Sequence, residues 1–124
     1  MNRSRLLVAV VDDDTSVRES LPDLLEELGF AVRSFSSPEA FVASECVAET
    51  RCLLADIAMP GMSGFDLRDA LQSQGHDIPT VFMTAQADIC LRSQSVASGA
   101  AAFLLKPFGE KALIEAIEAA LGQR

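Results

Sequence analysis

Apolar and polar residues alternate along the chain in blocks that predict strands and helices in turn. Residues 6–11 form a nearly continuous apolar run that stops at three aspartates, as a strand buried on both faces would. Apolar residues then recur at helical spacing as far as Leu28, and Gly29 is typical of a helix end. Pro22 lies inside this periodic stretch, so the helix either begins late, near Ser20, or is kinked at the proline.

The same alternation continues through four more units. Short apolar runs predict strands at residues 30–35, 52–55, 79–83 and 103–105. The second helix opens at residues 37–39, Ser-Pro-Glu, with a capping serine before a first-turn proline, and the third follows a loop at residues 59–64. The last helix carries three apolar residues on one face: Leu113, Ile117 and Leu121. Five strands alternating with five helices predict one α/β domain with a parallel sheet.

Residues 88–98 give the weakest helix pattern of the five. The apolar residues Ile89 and Val96 would mark the inner face, but polar residues interrupt it: Arg92, Ser93 and Ser95. We expect this fourth helix to bury less apolar surface than the others and to be the least stable helix of the domain, being short, shifted or mobile.

Chemically active side chains follow four of the five predicted strands. In chain order they are Asp12 with Asp13, then Asp56, Thr84 and Lys106. In open α/β sheets the carboxyl ends of the strands border the ligand crevice, so these groups are expected to converge at one edge of the sheet. A single aspartate at a strand end is usually a turn former or a helix cap, but that explanation is poor for the whole set.

The residue types at this edge suit phosphoryl transfer with a divalent cation. Carboxylates placed together repel one another unless a cation compensates, and hard oxygen ligands favour Mg²⁺. Lysine and threonine can bind phosphoryl oxygens, and an aspartate can itself be the nucleophile. Other chemistry competes poorly: the one histidine, His76, reads as a solvated loop residue, and no glycine spacing matches a nucleotide-binding motif.

Length, composition and charge narrow the setting. The 124 residues suit one domain, and 49% hydrophobic residues suffice for a core. A net charge of −8 repels phosphate backbones, so this segment is not expected to bind nucleic acid directly. No apolar run reaches the roughly 18 residues of a membrane span. Three cysteines without a C-x-x-C pair favour reduced, mostly buried thiols in a cytoplasmic protein: Cys46, Cys52 and Cys90.

Four segments make the sequence similar to the receiver domains of two-component response regulators. Residues 10–14, VVDDD, resemble the acidic first-strand motif, and residues 56–64, DIAMPGMSG, resemble the phosphoacceptor loop. Thr84-Ala85 and Lys106-Pro107-Phe108 resemble the two remaining signatures, in order and at the usual intervals. The resemblance covers essentially the whole chain, so residues 1–124 are expected to form one receiver domain.

The resemblance implies a fold and a role in signalling. The fold would be the CheY-like, flavodoxin-like (βα)5 arrangement, a doubly wound parallel sheet with strand order 2-1-3-4-5. The protein would be a signalling phosphoacceptor that catalyses only its own phosphorylation and dephosphorylation. Residues 29–32 and 36–41 are similar to the FixJ-type branch, whose members commonly carry a LuxR-type helix-turn-helix output domain. Such a domain would lie beyond Arg124.

Metal binding and phosphate acceptance follow from the same resemblance. Asp56 would accept the phosphoryl group from a sensor histidine kinase. Asp13, Asp56 and the carbonyl of Ala58 would bind Mg²⁺, for which Mn²⁺ can substitute, with Asp12 acting through water. Three positions would tune the pocket: Asp14, which could equally just cap the first helix, Ala58 and Gln86.

The resemblance also implies how the signal would leave the pocket. Lys106, Thr84 and the N–H of Ala85 would hold the phosphoryl oxygens, and the Lys106–Pro107 peptide would be cis. Thr84 and Phe103 would form a switch that alters the surface of helix 4, strand 5 and helix 5. That surface would act on an output domain or a downstream protein, and it could support a phosphorylation-dependent homodimer.

Two alternatives remain open at this point. A pseudo-receiver, a binding module that works without phosphorylation, is motivated by the unusual fourth helix. A phosphatase is the other, because residues 12–15, DDDT, resemble the D-x-D-x-T start of haloacid-dehalogenase-type enzymes. That reading would make Asp12 the nucleophile and would leave the Asp56 loop unexplained.

Overall fold

The computed structural model describes residues 6–85 and 89–122, so the expected tuning residue Gln86 lies outside the described residues. Within them, five parallel strands form one sheet in the order β2-β1-β3-β4-β5. The strands are β1 Leu7–Val11, β2 Ala31–Phe35, β3 Thr50–Asp56, β4 Thr80–Thr84 and β5 Ala102–Leu105. The helices are α1 Thr15–Glu27, α2 Pro38–Val42, α3 Gly64–Ser73, α4 Ile89–Ala97 and α5 Glu110–Leu121. The predicted fold class and strand order are confirmed.

Alternating side chains of the central strands build two cores, one on each face of the sheet. Val8 and Val10 pack into a cluster with buried residues of α1 and α5. Ala9 and Val11 point the other way, into a cluster with buried residues of α2 and α3. Because β1 is covered on both faces, its sequence is continuously apolar rather than alternating. The polar groups that follow such a strand are thereby placed at the rim of the sheet.

Helix α1 begins earlier than one of the two interpretations of Pro22 predicted. It starts at Thr15, directly after the acidic loop, and runs through Pro22, so a start near Ser20 is wrong. The helix ends as Gly29 predicted: Gly29 has a φ of 101°, a conformation that favours glycine. Its N–H donates to Glu26 and the N–H of Phe30 donates to Leu25, which is the hydrogen-bond pattern of a Schellman motif.

Helix α4 presents a different inner face from the one that its apolar residues suggested. Val96 is 72% exposed, whereas Ser95 is buried and its hydroxyl donates to the carbonyl of Leu91. Leu91 is partly buried against the second core. The inner face therefore runs through Leu91 and Ser95 rather than through Val96, and a hydroxyl occupies the place of an apolar group. That α4 is the least stable helix of the domain stays a prediction.

The cysteines are distributed largely as expected. Cys46 and Cys52 are buried, but Cys90 is exposed on α4. Burial raises the pKa of the Cys52 thiol to about 12, so this group stays protonated and unreactive at neutral pH. Across the described ranges no helix is long and apolar enough to cross a membrane.

Candidate functional site

Polar residues at the carboxyl ends of four strands lie at one edge of the sheet. Asp12 follows β1 and its backbone N–H donates to Phe35, the last residue of β2. Asp56 is the last residue of β3 and Thr84 the last of β4. Lys106 follows β5, and its N–H donates to the carbonyl of Thr84 over 2.7 Å. Since all strands are parallel, their carboxyl ends meet, and residues up to 94 positions apart share one pocket.

Lys106 is the cation of this pocket. Its Nζ lies 2.7 Å from Oδ2 of Asp12 and 3.6 Å from Oδ2 of Asp56. Burial would lower the pKa of Lys106, but the hydrogen bond and the charge of Asp12, followed by the charges of Asp56 and Asp14, outweigh burial and raise it. Lys106 is therefore held as an ammonium group between two carboxylates. The peptide bond from Lys106 to Pro107 is cis.

Both oxygens of the Asp12 carboxylate are engaged at short range. Oδ1 accepts the N–H of Asp14 over 2.9 Å, while Oδ2 pairs with Lys106. Asp12 is fully buried, so these partners replace the water that the carboxylate has lost. The Asp14 side chain caps α1 by accepting the N–H of Ser16 over 2.9 Å, which is the simpler of its two expected roles.

The Asp56 carboxylate is held more loosely. Oδ1 accepts the N–H of Ala58 over 3.4 Å, and Oδ2 lies 3.6 Å from the Lys106 ammonium. Burial, followed by the negative charge of Asp12, raises the pKa of Asp56 from 3.8 to about 6, because Lys106 offsets only part of these effects. Asp56 is therefore a carboxylate whose charge is only partly compensated.

The loop after Asp56 turns back under the site. The N–H of Gly64 donates to the carbonyl of Ile57 over 3.0 Å. A Cβ on Gly64 would lie 2.6 Å from the backbone oxygen of Asp56, so only glycine fits here. Next to it, Ser63 and Asp66 form a capping box that starts α3. The loop and the helix start thus support Asp56 from behind.

Three carboxylates fit the donor set for a divalent cation. Oxygens of Asp12, Asp13 and Asp56 all lie within 4.8 Å of one another. Asp13 is exposed, whereas the other two are buried. Carboxylates at the border of solvent suit Mg²⁺, which keeps several of its waters. Ala58, the source of the expected carbonyl ligand, is exposed at the same loop.

The remaining predicted residues lie on β4, its following turn and β5. Thr84 is 1% exposed, whereas Ala85 is exposed. Phe103 pairs in register with Phe82 and is half-buried. The guanidinium carbon of Arg92 on α4 lies 5.8 Å from the centroid of the Phe103 ring, within the range of a cation–π contact.

Sequence reasoning missed Arg18. Its guanidinium donates to the backbone carbonyl of Asp12 over 2.9 Å and lies 3.5 Å from the hydroxyl of Thr15. Arg18 therefore ties the first turn of α1 to the acidic loop. An arginine placed one helical turn after an acidic loop was the available signal, but it specifies no partner.

Comparison with known proteins decides the family. The model of the response regulator receiver domain matches residues 8–118. The chain belongs to the response regulator receiver family. It is 41% identical over 118 residues to the transcriptional regulatory protein FixJ of Azorhizobium caulinodans, covering 95% of this chain and 56% of that protein. It is 37% identical to the response regulator protein TmoT of Ectopseudomonas mendocina, covering 98% and 55%.

A solved structure gives the same result. The crystal structure of FixJ-N superimposes on this receiver domain with a TM-score of 0.85 and 37% identity, covering 95% of this chain and 94% of the other. The expected FixJ-type branch is confirmed. The receiver domain spans about half the length of the curated relatives that it matches.

Proposed function

We propose that this receiver domain accepts a phosphoryl group on Asp56 from the phosphohistidine of a sensor histidine kinase. The observation that carries the proposal is the placement of Lys106 between two buried carboxylates of unequal availability. The two carboxylate oxygens of Asp12 have close partners, at 2.9 Å and 2.7 Å. The partners of the two Asp56 oxygens are farther away, at 3.4 Å and 3.6 Å. Asp56 is thus the carboxylate that can exchange its present partners for a phosphorus atom.

The transfer uses groups of this chain for attack and for charge neutralisation. An oxygen of Asp56 attacks phosphorus, the bond from phosphorus to the imidazole nitrogen breaks, and its electron pair stays on that nitrogen. The attack needs the ionised form, and a pKa of about 6 leaves Asp56 ionised at neutral pH. Lys106, the hydroxyl of Thr84 and the N–H of Ala85 then hold the phosphoryl oxygens.

Mg²⁺ is the cation that we propose for the carboxylate cluster, with Mn²⁺ as a substitute. Asp13, Asp56 and the carbonyl of Ala58 would hold it directly, and Asp12 would act through water. When bound, it supplies positive charge that stabilises the phosphoryl oxygens in the transition state. The oxygen-only donor set within 4.8 Å supports this choice over softer metals.

The phosphorylated state would act on the surface formed by α4, β5 and α5. Thr84 and Phe103 are the proposed switch, and the half-buried ring of Phe103 under Arg92 leaves an aromatic side chain that can change its exposure. Receivers typically serve signalling, and we propose a cytoplasmic regulator whose output domain, such as a LuxR-type helix-turn-helix, or whose downstream partner reads this surface. A phosphorylation-dependent homodimer would use the same surface.

The experiment is to incubate the protein with a small acyl phosphate and Mg²⁺ and to measure its intact mass. One added phosphoryl group is expected in the wild type and in Asp12→Asn, and none in Asp56→Asn. No label in the wild type would favour a pseudo-receiver. Label that survives in Asp56→Asn but is lost in Asp12→Asn would favour phosphatase-like chemistry at Asp12 and overturn the proposal.

A further inference from the structure

Arg68 is a buried cation that the phosphoryl site does not use. It lies on α3 and is 7% exposed, although arginine is rarely buried without a carboxylate partner. Among the described residues the two ion pairs both belong to Lys106, so neither involves Arg68. Such a guanidinium is stable in the interior only if other groups accept its N–H donors.

Backbone carbonyls and one hydroxyl fill that role. Nε donates to Ser98 over 3.0 Å and Nη2 donates to Gly99 over 3.1 Å, both at backbone carbonyls. Nη1 donates over 3.1 Å to the carbonyl of Ile78 and to the hydroxyl of Thr80. One side chain therefore bonds to two segments that lie 10 to 31 residues further along the chain.

The carbonyls of Ser98 and Gly99 belong to the turn directly after α4. Carbonyls at a helix C-terminus lack intrahelical donors and carry partial negative charge, so a buried guanidinium satisfies them and complements the helix dipole. Thr80 is the first residue of β4, and Ile78 lies two residues before it. Arg68 thus connects α3, the end of α4 and the entry to β4 through a rigid, planar group.

Other polar contacts also attach this end of α4. Ser98 donates its hydroxyl to Ser95, and the N–H of Ala101 donates to Thr80 over 2.8 Å. Along the helix itself, Arg92 and Val96 are exposed, and Leu91 is only partly buried. With so few buried apolar groups on α4, polar contacts at its C-terminal end carry a large share of its attachment.

We propose that Arg68 is a clamp that fixes the C-terminal end of α4 to α3 and β4. Rearrangement of α4 is then confined to its N-terminal part, which follows the Thr84–Ala85 turn of the phosphoryl site. Arg68 is in this sense a positioning residue. The clamp itself does not depend on phosphorylation, whereas its role in the response rests on the function proposed above.

The first test measures amide hydrogen exchange in Arg68→Met and Arg68→Lys, with Arg33→Met, an exposed arginine on β2, as the matched control. The amides to follow are those of Gly99, Ala100 and Ala101. Arg68→Met should exchange at least about tenfold faster there, because several hydrogen bonds are lost, while α5 changes only with global stability. Arg68→Lys should be intermediate, since an ammonium cannot reproduce the fork.

Denaturant unfolding of each variant separates a local from a global effect. Exchange that accelerates equally in α5 and at residues 99–101, in proportion to a lower free energy of unfolding, would overturn the clamp. Unchanged exchange at residues 99–101 in Arg68→Met would overturn it as well. Arg68→Lys supplies the same comparison if Arg68→Met does not fold.

The second test compares exchange before and after labelling with a small acyl phosphate. In the wild type the change should be confined to residues 92–94 of α4, whereas in Arg68→Met it should extend into the turn and the chain that follow the helix, at residues 98–101. A wild-type change at residues 98–101 as large as that at residues 92–94 would overturn the confinement. Failure of Asp56 to take any label would instead count against the proposed function and leave the first test decisive for the clamp.

Discussion

At the scale of single residues, Asp56 stands out because the fold opposes its charge. Burial and the neighbouring Asp12 raise its pKa to about 6, against an ordinary value of 3.8. A raised carboxyl pKa means that the folded protein holds the proton more tightly than the unfolded chain. The ionised form therefore lowers stability above about pH 6, and this cost disappears as the pH falls from about 6 towards 4.

Replacement of Asp56 by Asn should therefore stabilise the metal-free protein at neutral pH. The pKa values correspond to about 3 kcal/mol, and because Asp56 borders solvent at the edge of the sheet we expect about 1–2 kcal/mol. Urea unfolding in the presence of a chelator at pH 7.5, 6 and 4.5 measures the difference, which should shrink as the pH falls. Asp23→Asn, an exposed carboxylate on α1, is the control. A difference between Asp56→Asn and the wild type that does not vary with pH would contradict the prediction.

Gly64 supports Asp56 through the space that a missing side chain leaves. Because an added Cβ would lie 2.6 Å from the backbone oxygen of Asp56, Gly64→Ala should shift the loop and cost about 1–3 kcal/mol of unfolding free energy. Phosphoryl labelling should slow as well, since Asp56, the proposed acceptor, moves with its backbone. Gly109→Ala is the matched control, because its added Cβ would meet no atom within 4 Å. Equal stability of the two variants in urea unfolding would refute this steric argument.

At the scale of elements, α4 is the helix whose inner face carries a hydroxyl. Ser95 is 1% exposed and its hydroxyl donates to the carbonyl of Leu91, four residues earlier. A serine that bonds back to its own helix weakens the helix slightly, and alanine is the stronger helix former. The expected low stability of α4 thus has a local cause that can be removed.

Ser95→Ala should stabilise the domain by about 0.5 kcal/mol and slow amide exchange within α4. In the wild type, α4 should exchange faster than α1, α3 and α5. Ser93→Ala, on the exposed side of the same helix, separates helix propensity from the buried hydroxyl. Exchange in wild-type α4 as slow as in α5 would contradict the predicted weakness. A loss of stability in Ser95→Ala alone would show that the buried hydroxyl is needed.

The elements and the pocket were predictable because both depend on short-range patterns. Strand β1 is covered on two faces, so its apolar run is continuous, and the aspartates after it must lie at the rim. Gly29 ended α1 for a local reason, its positive φ. Thr84 and Lys106 follow the same rule, since parallel strands bring their ends together whatever loops connect them.

The features that the sequence did not predict depend on contacts between residues far apart in the chain, or on which side chains face solvent. Arg68 bonds to carbonyls about 30 residues away, and backbone acceptors leave no trace in the sequence. Val96 was expected on the inner face of α4. On a short helix, however, the spacing of a few apolar residues determines poorly which face packs inward. Ser95 can be buried in its place because its hydroxyl donates to a carbonyl of the same helix. Pro22 was compatible with two starts of α1, and the cap supplied by Asp14 favours the earlier one.

At the scale of the whole molecule, the charge of −8 and the carboxylate cluster act together. Asp12, Asp13 and Asp56 bring three negative charges within 4.8 Å, and Lys106 is the one cation paired with them among the described residues. Repulsion within the cluster adds to the repulsion across an acidic domain. A cation that binds only the folded state should therefore stabilise the entire domain rather than the pocket alone.

Mg²⁺ should raise the free energy of unfolding of the wild type by about 2.7 kcal/mol at a concentration 100 times its dissociation constant. Asp13→Asn should lose most of this gain without harming the fold, because Asp13 is exposed and belongs to the proposed metal-binding set rather than to the core. Urea unfolding with and without MgCl₂, at ionic strength matched with NaCl, measures both effects. Asp23→Asn, which removes the same charge away from the cluster, should respond to Mg²⁺ as the wild type does. If Mg²⁺ raises the free energy of unfolding of Asp13→Asn as much as that of the wild type, it acts by screening the acidic surface. An ion bound at the cluster would bind more weakly after the loss of one of its ligands.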